Sequence, residues 1–110
     1  MTAQALRMAL IVDGHHVETV DSGEQALAQF EAGGRDLVIT DFKLPGMDGL
    51  ELAEAIKKRD PSQPIILITA YAETVSKMGT VSNVDVLLGK PFSLASLQQS
   101  LRKIFAPSAD

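Results

Sequence analysis

Short apolar runs alternate along the chain with stretches whose apolar residues recur at helical spacing. Three of the runs, at residues 36–41, 64–69 and 84–88, are mostly apolar. A strand that helices cover on both faces has no polar face, so such runs are typical of buried parallel strands. The pattern therefore predicts an α/β fold, a doubly wound parallel sheet in a three-layer α/β/α arrangement.

Capping residues set the bounds of two predicted helices. Ser22 precedes an apolar-periodic stretch that should end at residues 33–34, a pair of glycines. Asp48 and Glu51 form a capping-box pair, which predicts a helix from about residue 49 to the Asp-Pro pair at residues 60–61. Both helices thus have a sequence signal at each end.

The carboxyl-terminal half contains two further helical stretches. Residues 72–82 are weakly helical, because Gly79 and the β-branched Thr80 and Val81 interrupt them. Ser93 precedes a final helix whose apolar positions are Leu94, Leu97, Leu101 and Ile104. We expect residues 106–110 to be a frayed tail.

The amino-terminal stretch allows two interpretations. Residues 2–12 have apolar positions on one helical face, and Asp13-Gly14 would stop such a helix. Residues 8–12 are also a continuous apolar run that ends in β-branched residues, as in a strand. We favour the helix. The alternation of residues 16–20 predicts a short strand after it.

The composition limits the function classes. A chain of 110 residues can bury one modest core, so we expect a single domain over residues 1–110. The net charge of −4 argues against direct nucleic-acid binding, which requires a basic face. The sequence has no cysteine, which excludes disulfides and thiolate metal sites. No apolar run is long enough for a membrane span or a signal peptide, and we expect a cytoplasmic protein.

Three different polar groups stand at or just after the ends of the predicted buried strands. They are the carboxylate of Asp41, the hydroxyl of Thr69 and the amine of Lys90. Parallel strands end at one edge of a sheet, so these groups can converge. Each alone is an ordinary turn former, strand end or exposed lysine. Together they supply the nucleophile, donor and cation that phosphoryl transfer to a carboxylate requires.

Three further polar residues receive structural assignments. We assign Asp48 to helix capping. His15 and His16 have no carboxylate or cysteine at metal-ligand spacing, so we assign them to a solvated turn.

Four short motifs together point to one protein family. Residues 41–49 read DFKLPGMDG, and the segments DSGEQAL, ITAY and GKPF occupy residues 21–27, 68–71 and 89–92. Over residues 2–105 the chain resembles bacterial response-regulator receiver domains of two-component systems, which have a flavodoxin-like (CheY-like) fold. One motif would be weak evidence, but four in the same order and spacing make the resemblance specific.

The resemblance gives each polar strand end a role. It implies that Asp41 accepts a phosphoryl group from a histidine kinase or phosphotransfer protein, that Thr69 hydrogen-bonds this group and that Lys90 pairs with it. It further implies Mg²⁺ bound by Asp41 and the backbone carbonyl of Lys43, a cis Lys90-Pro91 bond and a downstream protein partner. The chain would be a phosphoprotein carrying an aspartyl phosphate, and not an enzyme in its own right.

The chain departs from the family pattern at its amino-terminal end. Receiver domains begin with a further strand that ends in two acidic residues, and the corresponding position falls before Met1. That strand is central in the family's sheet, so we expect a gap that a rearranged amino terminus or a homodimer fills. Without the acidic pair, Mg²⁺ binding should be weak. If residues 8–12 were a strand, Asp13 would mimic one of the acids.

Two other functions compete with the receiver module. One is a receiver-like interaction or dimerisation domain that works without phosphorylation, which the missing acidic pair favours. The other is a phosphatase of the haloacid-dehalogenase type, in which a second aspartate stands two residues after the nucleophile. Lys43 occupies that position here, which counts against the phosphatase.

Overall fold

The structure is a computed structural model, and it describes residues 3–31, 33–77 and 83–105. The helices are α1 (Ala3–Val12), α2 (Gly23–Gln29), α3 (Gly49–Arg59), α4 (Ala72–Ser76) and α5 (Leu94–Phe105). The strands are β1 (Val38–Asp41), β2 (Ile65–Thr69) and β3 (Val86–Gly89). Within these ranges no helix has the length and apolarity that crossing a membrane requires.

The strands form one parallel sheet in the order β1-β2-β3. Asp41 is in register with Ile68, and Thr69 is in register with Gly89. Because all three strands run in the same direction, their carboxyl ends lie along one edge of the sheet. This is the edge at which the polar strand ends were expected to meet.

β2 is the central strand and is buried at every position. Ile65, Ile66 and Leu67 are each 0% exposed. The prediction of a strand covered on both faces is therefore confirmed, and its start differs from the predicted one by a single residue.

Helices cover both faces of the sheet. On one face, Leu10 of α1 and Leu101 of α5 pack with Ile66 and Ile68 of β2. On the other face, α2 and α3 pack against Ile65, and α4 joins α3 over Leu67. The three-layer α/β/α arrangement predicted from the apolar pattern is thus confirmed.

The capping signals are correct at both helices that carried them. The Asp48 carboxylate accepts the Glu51 N–H at 2.8 Å, and the Glu51 carboxylate accepts the Asp48 N–H at 3.1 Å. The Ser22 hydroxyl accepts the Gln25 N–H at 3.1 Å. These bonds satisfy amide groups that the first turn of each helix leaves without partners.

The prediction that α2 extends to residues 33–34 is wrong, since α2 ends at Gln29. The backbone of Phe30 is extended, and its side chain is buried against α3 and β2. The Arg59 guanidinium donates to the Leu27 carbonyl at 2.7 Å in the last turn of α2. Packing of Phe30 thus replaces a glycine stop as the event that ends the helix.

The helical interpretation of the amino-terminal stretch is confirmed as α1 (Ala3–Val12), while residue 2 lies outside the described ranges. Gly14 has a φ of 92° and donates to the Ile11 carbonyl at 2.9 Å. The backbone N–H of His15 donates to the Leu10 carbonyl at 3.0 Å. This left-handed glycine turn ends the helix, as Asp13-Gly14 predicted. The strand interpretation of residues 8–12 is wrong, and Asp13 ends no strand.

The predicted strand at residues 16–20 is wrong, because these residues have no regular secondary structure. All of them except Val17 are exposed. Alternation alone does not make a strand, since a strand also needs a neighbour for its backbone groups. Among the described residues, no strand pairs with this segment.

The third strand begins two residues later than predicted, because Asp85 serves as a bridge before it. The Asp85 carboxylate accepts the Ile65 N–H at 2.7 Å and the Lys57 ammonium at 2.9 Å. The Asp85 N–H donates to the Ile65 carbonyl at 2.9 Å. Strand pairing then runs from Val86.

Two predicted segments reach beyond what the structure describes. Of the weak helix predicted at residues 72–82, α4 occupies Ala72–Ser76, and residues 78–82 lie outside the described ranges. The predicted frayed tail at residues 106–110 also lies outside them.

Replacing Asp85 with alanine should lower the free energy of unfolding by about 1–3 kcal/mol, because the Ile65 amide would lose its partner. Urea unfolding of Asp85→Ala measures this change. The control is Glu54→Ala, which removes an exposed ion pair to Lys58 at 3.5 Å and should have little effect. Equal losses in the two variants would contradict the bridging role of Asp85.

Candidate functional site

Three side chains stand at the carboxyl edge of the sheet. Asp41 is the last residue of β1, Thr69 is the last residue of β2, and Lys90 follows the last residue of β3. The order β1-β2-β3 places their backbones side by side at successive strand ends. The structure therefore brings the three predicted site residues to one edge, although nearly half the sequence separates the first from the last.

Asp41 and Lys90 form the one direct contact among these side chains that the described residues record. The Lys90 Nζ lies 2.9 Å from the Asp41 Oδ1, and their side chains are 40% and 45% exposed. Exposed ion pairs contribute about 0–1 kcal/mol to stability. The pair is thus a weak stabilising element that leaves both charged groups accessible to a reactant in solution.

Thr69 is fixed more firmly than the ion pair, being only 4% exposed. Its hydroxyl oxygen accepts the Tyr71 N–H at 3.0 Å, and its carbonyl accepts the Lys90 N–H at 2.7 Å. The hydroxyl proton is not used in the first of these bonds, so Thr69 keeps a donor. The same residue therefore joins the ends of β2 and β3 and presents a hydrogen-bond donor at the sheet edge.

The Lys90-Pro91 peptide bond is cis, as the resemblance predicted. This bond lies directly between the site lysine and the approach to α5.

The loop after Asp41 is closed onto the start of α3. The Phe42 N–H donates to the Ile68 carbonyl at 2.8 Å, and the Gly49 N–H donates to the Phe42 carbonyl at 2.7 Å. Gly46 has a φ of 81°, a conformation that favours glycine. These features explain why the motif contains two glycines, and they fix the strand end that carries Asp41.

Gly49 is the functional-site residue whose importance the sequence did not reveal. A Cβ at this position would meet the Asp41 carbonyl oxygen and lie 2.6 Å from the Leu67 Cδ1. The helix start therefore packs directly on the backbone of the phosphoacceptor candidate. A glycine after a capping aspartate could have signalled this close approach, but it is also an ordinary helix-start residue.

The described residues do not fit a strong Mg²⁺ site. Mg²⁺ prefers octahedral oxygen coordination, and within the described ranges no three acidic or histidine side chains cluster. Asp41 is a single carboxylate, and Lys90 already contacts it. The backbone carbonyl of Lys43 as a second ligand remains a prediction from the resemblance.

Asp48 has the capping role that we assigned to it, and His15 and His16 are exposed as a solvated turn requires, although His15 also has an aromatic contact that we did not predict. The His15 ring stacks on Phe105, with ring centroids 6.1 Å apart. The Asp48 carboxylate caps α3 and points to no chemistry beyond that.

One family matches almost the whole chain. Residues 1–102 match the response regulator receiver domain. The chain belongs to this family. The resemblance drawn from the four motifs is thereby confirmed, and the matched range contains Asp41, Thr69 and Lys90.

Curated relatives of this receiver domain are longer proteins. The transcriptional regulatory protein TrcR of Mycobacterium tuberculosis is 33% identical over 105 residues, which are 94% of this chain and 41% of TrcR. The sensory transduction protein RegX3 of Mycolicibacterium smegmatis is 33% identical over 109 residues, which are 98% of this chain and 47% of RegX3. The chain therefore spans less than half the length of these relatives.

Solved structures show the same fold. The response regulator TrrA of Thermotoga maritima, in complex with Mg²⁺-BeF, has a TM-score of 0.83 and 35% identity over 92% of this chain and 87% of TrrA. In a second structure TrrA is bound to the histidine kinase ThkA, and there the TM-score is 0.82 over 94% of this chain and 88% of TrrA. A receiver of similar sequence thus forms a complex with a kinase.

Replacing Gly49 with alanine should destabilise the receiver domain by about 1–3 kcal/mol, because the new Cβ would meet the Asp41 carbonyl oxygen. Urea unfolding measures the loss, and amide NMR shifts of Asp41 and Phe42 report the displacement of the strand end.

Gly89→Ala is the matched control at the same sheet edge. A Cβ there would lie 3.4 Å from the Ala72 Cβ, which is close to ordinary contact. If Gly49→Ala were as stable as Gly89→Ala, with unshifted Asp41 and Phe42 amides, close packing at Gly49 would not position the site.

Proposed function

We propose that this receiver domain accepts a phosphoryl group on Asp41 from a histidine kinase or phosphotransfer protein. The observation that supports it best is the accessible carboxylate of Asp41 at a strand end, with the Lys90 ammonium 2.9 Å away. An aspartate nucleophile beside a cation is the minimum that phosphoryl transfer to a carboxylate requires.

The transfer consists of one displacement at phosphorus. An Asp41 carboxylate oxygen attacks the phosphorus of a phosphohistidine, the P–N bond breaks, and the electron pair leaves with the imidazole, which takes up a proton. The product is an acyl phosphate on Asp41. Lys90 then pairs with a phosphoryl oxygen, so its positive charge opposes the negative charge that the product adds.

Thr69 fixes the product in this scheme. Its hydroxyl keeps a proton to donate while its oxygen accepts the Tyr71 N–H. A phosphoryl oxygen on Asp41 is a suitable acceptor for that proton. Because Thr69 also holds the Lys90 amide, a bond to the phosphoryl group would act on the ends of both β2 and β3.

The partners follow from the same chemistry. The domain receives the phosphoryl group from a kinase and passes the signal by contact with a downstream protein, so it is a substrate of phosphotransfer and not an enzyme in its own right. Both partners of such a relay act in the cytoplasm, where we place the domain. Pairing with a second copy is a further proposal, because none of the described strands pairs with the outer edge of β1.

The second candidate function is a receiver-like interaction domain that does not use phosphorylation. The limited set of Mg²⁺ donors favours it, because one lysine-paired carboxylate is a poor site for this ion. Such a domain would keep the fold and its protein contacts while Asp41 served only as part of an ion pair.

Incubation with acetyl phosphate and Mg²⁺ should add one phosphoryl group to the domain, which intact-mass spectrometry detects. Asp41→Asn should abolish the added mass, because it removes the nucleophilic oxygen. Lys90→Ala should slow the reaction by about a hundredfold, the usual effect of removing one stabilising charge. Thr69→Ser keeps the hydroxyl and should remain active.

Asp36→Asn is the matched control, since Asp36 is an exposed acid just before the same strand. Mass addition that survives in Asp41→Asn would mean that another residue is modified. The absence of any mass addition in a folded sample would favour the interaction domain.

Mg²⁺ should bind the unphosphorylated domain with a dissociation constant on the order of millimolar or weaker, because Asp41 alone supplies a carboxylate. Titration calorimetry measures this binding, and Asp41→Asn should remove what is present. Micromolar binding that Asp41→Asn leaves intact would contradict the assignment of the metal to this edge.

A further inference from the structure

Thr40 is the one fully buried residue of β1, and it is polar. It is 6% exposed and lies one residue before Asp41, in register with Leu67 of β2. Valine has the same branched shape and a similar preference for strands, so packing does not require a hydroxyl at this position. Burying a hydroxyl costs free energy unless the group is hydrogen-bonded. The hydroxyl of Thr40 therefore needs an explanation beyond packing.

The Thr40 hydroxyl is bonded to the backbone of the candidate nucleophile. It donates to the Asp41 carbonyl at 2.9 Å. That carbonyl belongs to the peptide unit between Asp41 and Phe42, whose N–H donates to the Ile68 carbonyl at 2.8 Å. A peptide unit is planar, so bonds at its carbonyl and at its N–H together fix its rotation. Thr40 and β2 thus hold this peptide unit by both of its polar groups.

The start of α3 lies against the same carbonyl. A Cβ on Gly49 would meet the Asp41 carbonyl oxygen, and it would lie 3.1 Å from the carbonyl carbon and 2.6 Å from the Leu67 Cδ1. Packing therefore limits the movement of the carbonyl toward α3, but packing alone is not directional. The hydrogen bond from Thr40 is directional, so it defines the orientation that the carbonyl takes within the space left to it.

The backbone of Asp41 sets the direction in which its side chain leaves the strand. The side chain is 45% exposed, and its ion pair with Lys90 holds it only weakly. Displacement at phosphorus requires the attacking oxygen to be in line with the leaving group, and a misplacement of about 1 Å can slow a reaction by about a hundredfold. The orientation of the Asp41 peptide unit is therefore a condition for the reaction that we assign to its carboxylate.

A buried hydroxyl can also bond a nearby carbonyl merely to satisfy itself. Ser100 on α5 is 7% exposed, and its hydroxyl donates to the Ser96 carbonyl, one turn earlier, at 3.0 Å. This is a common bond of serine and threonine inside helices. Thr40 instead bonds forward, to the residue whose side chain carries the chemistry. The two residues therefore form a matched pair of buried hydroxyls, of which only Thr40 adjoins the site.

We propose that Thr40 is a positioning residue for phosphoryl transfer. Its hydroxyl fixes the Asp41 peptide unit so that the carboxylate faces both Lys90 and the incoming phosphorus. This inference rests on the proposed function, because it concerns the same carboxylate. Thr40 takes no part in the bond changes, since an Asp41 oxygen forms the new P–O bond and Thr40 keeps its proton throughout. Loss of the hydroxyl should therefore change the rate and leave the product unchanged.

Replacing Thr40 with valine removes the hydroxyl at nearly constant shape. During incubation with acetyl phosphate and Mg²⁺, intact-mass spectrometry should show phosphoryl addition at least about tenfold slower in Thr40→Val. The loss should fall on the maximal rate, and not on the acetyl phosphate concentration that gives half of it, because Thr40 does not touch the donor. Thr40→Ser keeps the hydroxyl and should restore the rate. Ser100→Ala is the matched control and should react as the unmodified chain does.

Carbon-13 NMR of the unphosphorylated chain measures the orientation directly. In Thr40→Val the Asp41 carbonyl carbon should move upfield, because it loses a hydrogen bond, and the Phe42 amide should shift with it. The Asp41 carboxyl carbon should also shift, since its contact with the Lys90 Nζ, 2.9 Å away, would change. Thr40→Ser and Ser100→Ala should leave these signals in place. A merely structural role of Thr40 would lower stability in urea without moving them.

Two kinetic results would overturn the proposal: Thr40→Val that reacts as fast as the unmodified chain, and Ser100→Ala that is slowed equally. Unmoved Asp41 and Phe42 signals in folded Thr40→Val would also overturn it, whether or not the chain accepts a phosphoryl group. If the unmodified chain gains no mass, the proposed function fails, and the NMR signals alone decide whether Thr40 positions the carboxylate. The two proposals can therefore fail separately.

Discussion

The parallel pairing of β2 with both of its neighbours is the constraint on which the rest of the structure depends. β2 is buried at every position, so its backbone groups must be satisfied by β1 and β3. Parallel pairing then fixes where all three strands end. Asp41, Thr69 and Lys90 meet at one edge because the three strands pair in parallel and in this register, and the ion pair there contributes little to stability itself.

Local sequence signals predicted the features that local interactions determine. The Asp48 and Glu51 capping box, the Ser22 cap and the buried run of β2 were all predictable, since each depends on residues a few positions apart. The errors involve distant partners. α2 ends early because Phe30 packs on α3, and β3 starts late because Asp85 bonds across to Ile65. Residues 16–20 have the alternation of a strand, but none of the described strands pairs with them.

The site was predictable to a similar extent and for a similar reason. Strand ends in a parallel sheet share an edge, so the convergence of Asp41, Thr69 and Lys90 followed from the apolar runs together with the motifs. The contact between Gly49 and the Asp41 backbone did not, because it requires the path of the loop between them. Sequence thus identified the groups that can do chemistry, and the structure added the packing that positions them.

β1 positions the candidate nucleophile through contacts at its carboxyl end. It pairs with β2 along its length, and its last residue is Asp41. The loop closure from Phe42 to Gly49 and the bond from Phe42 to Ile68 already hold the end of β1. The backbone of Asp41 is therefore held by β2 and the start of α3, and the exposed ion pair with Lys90 has only the carboxylate side chain to orient.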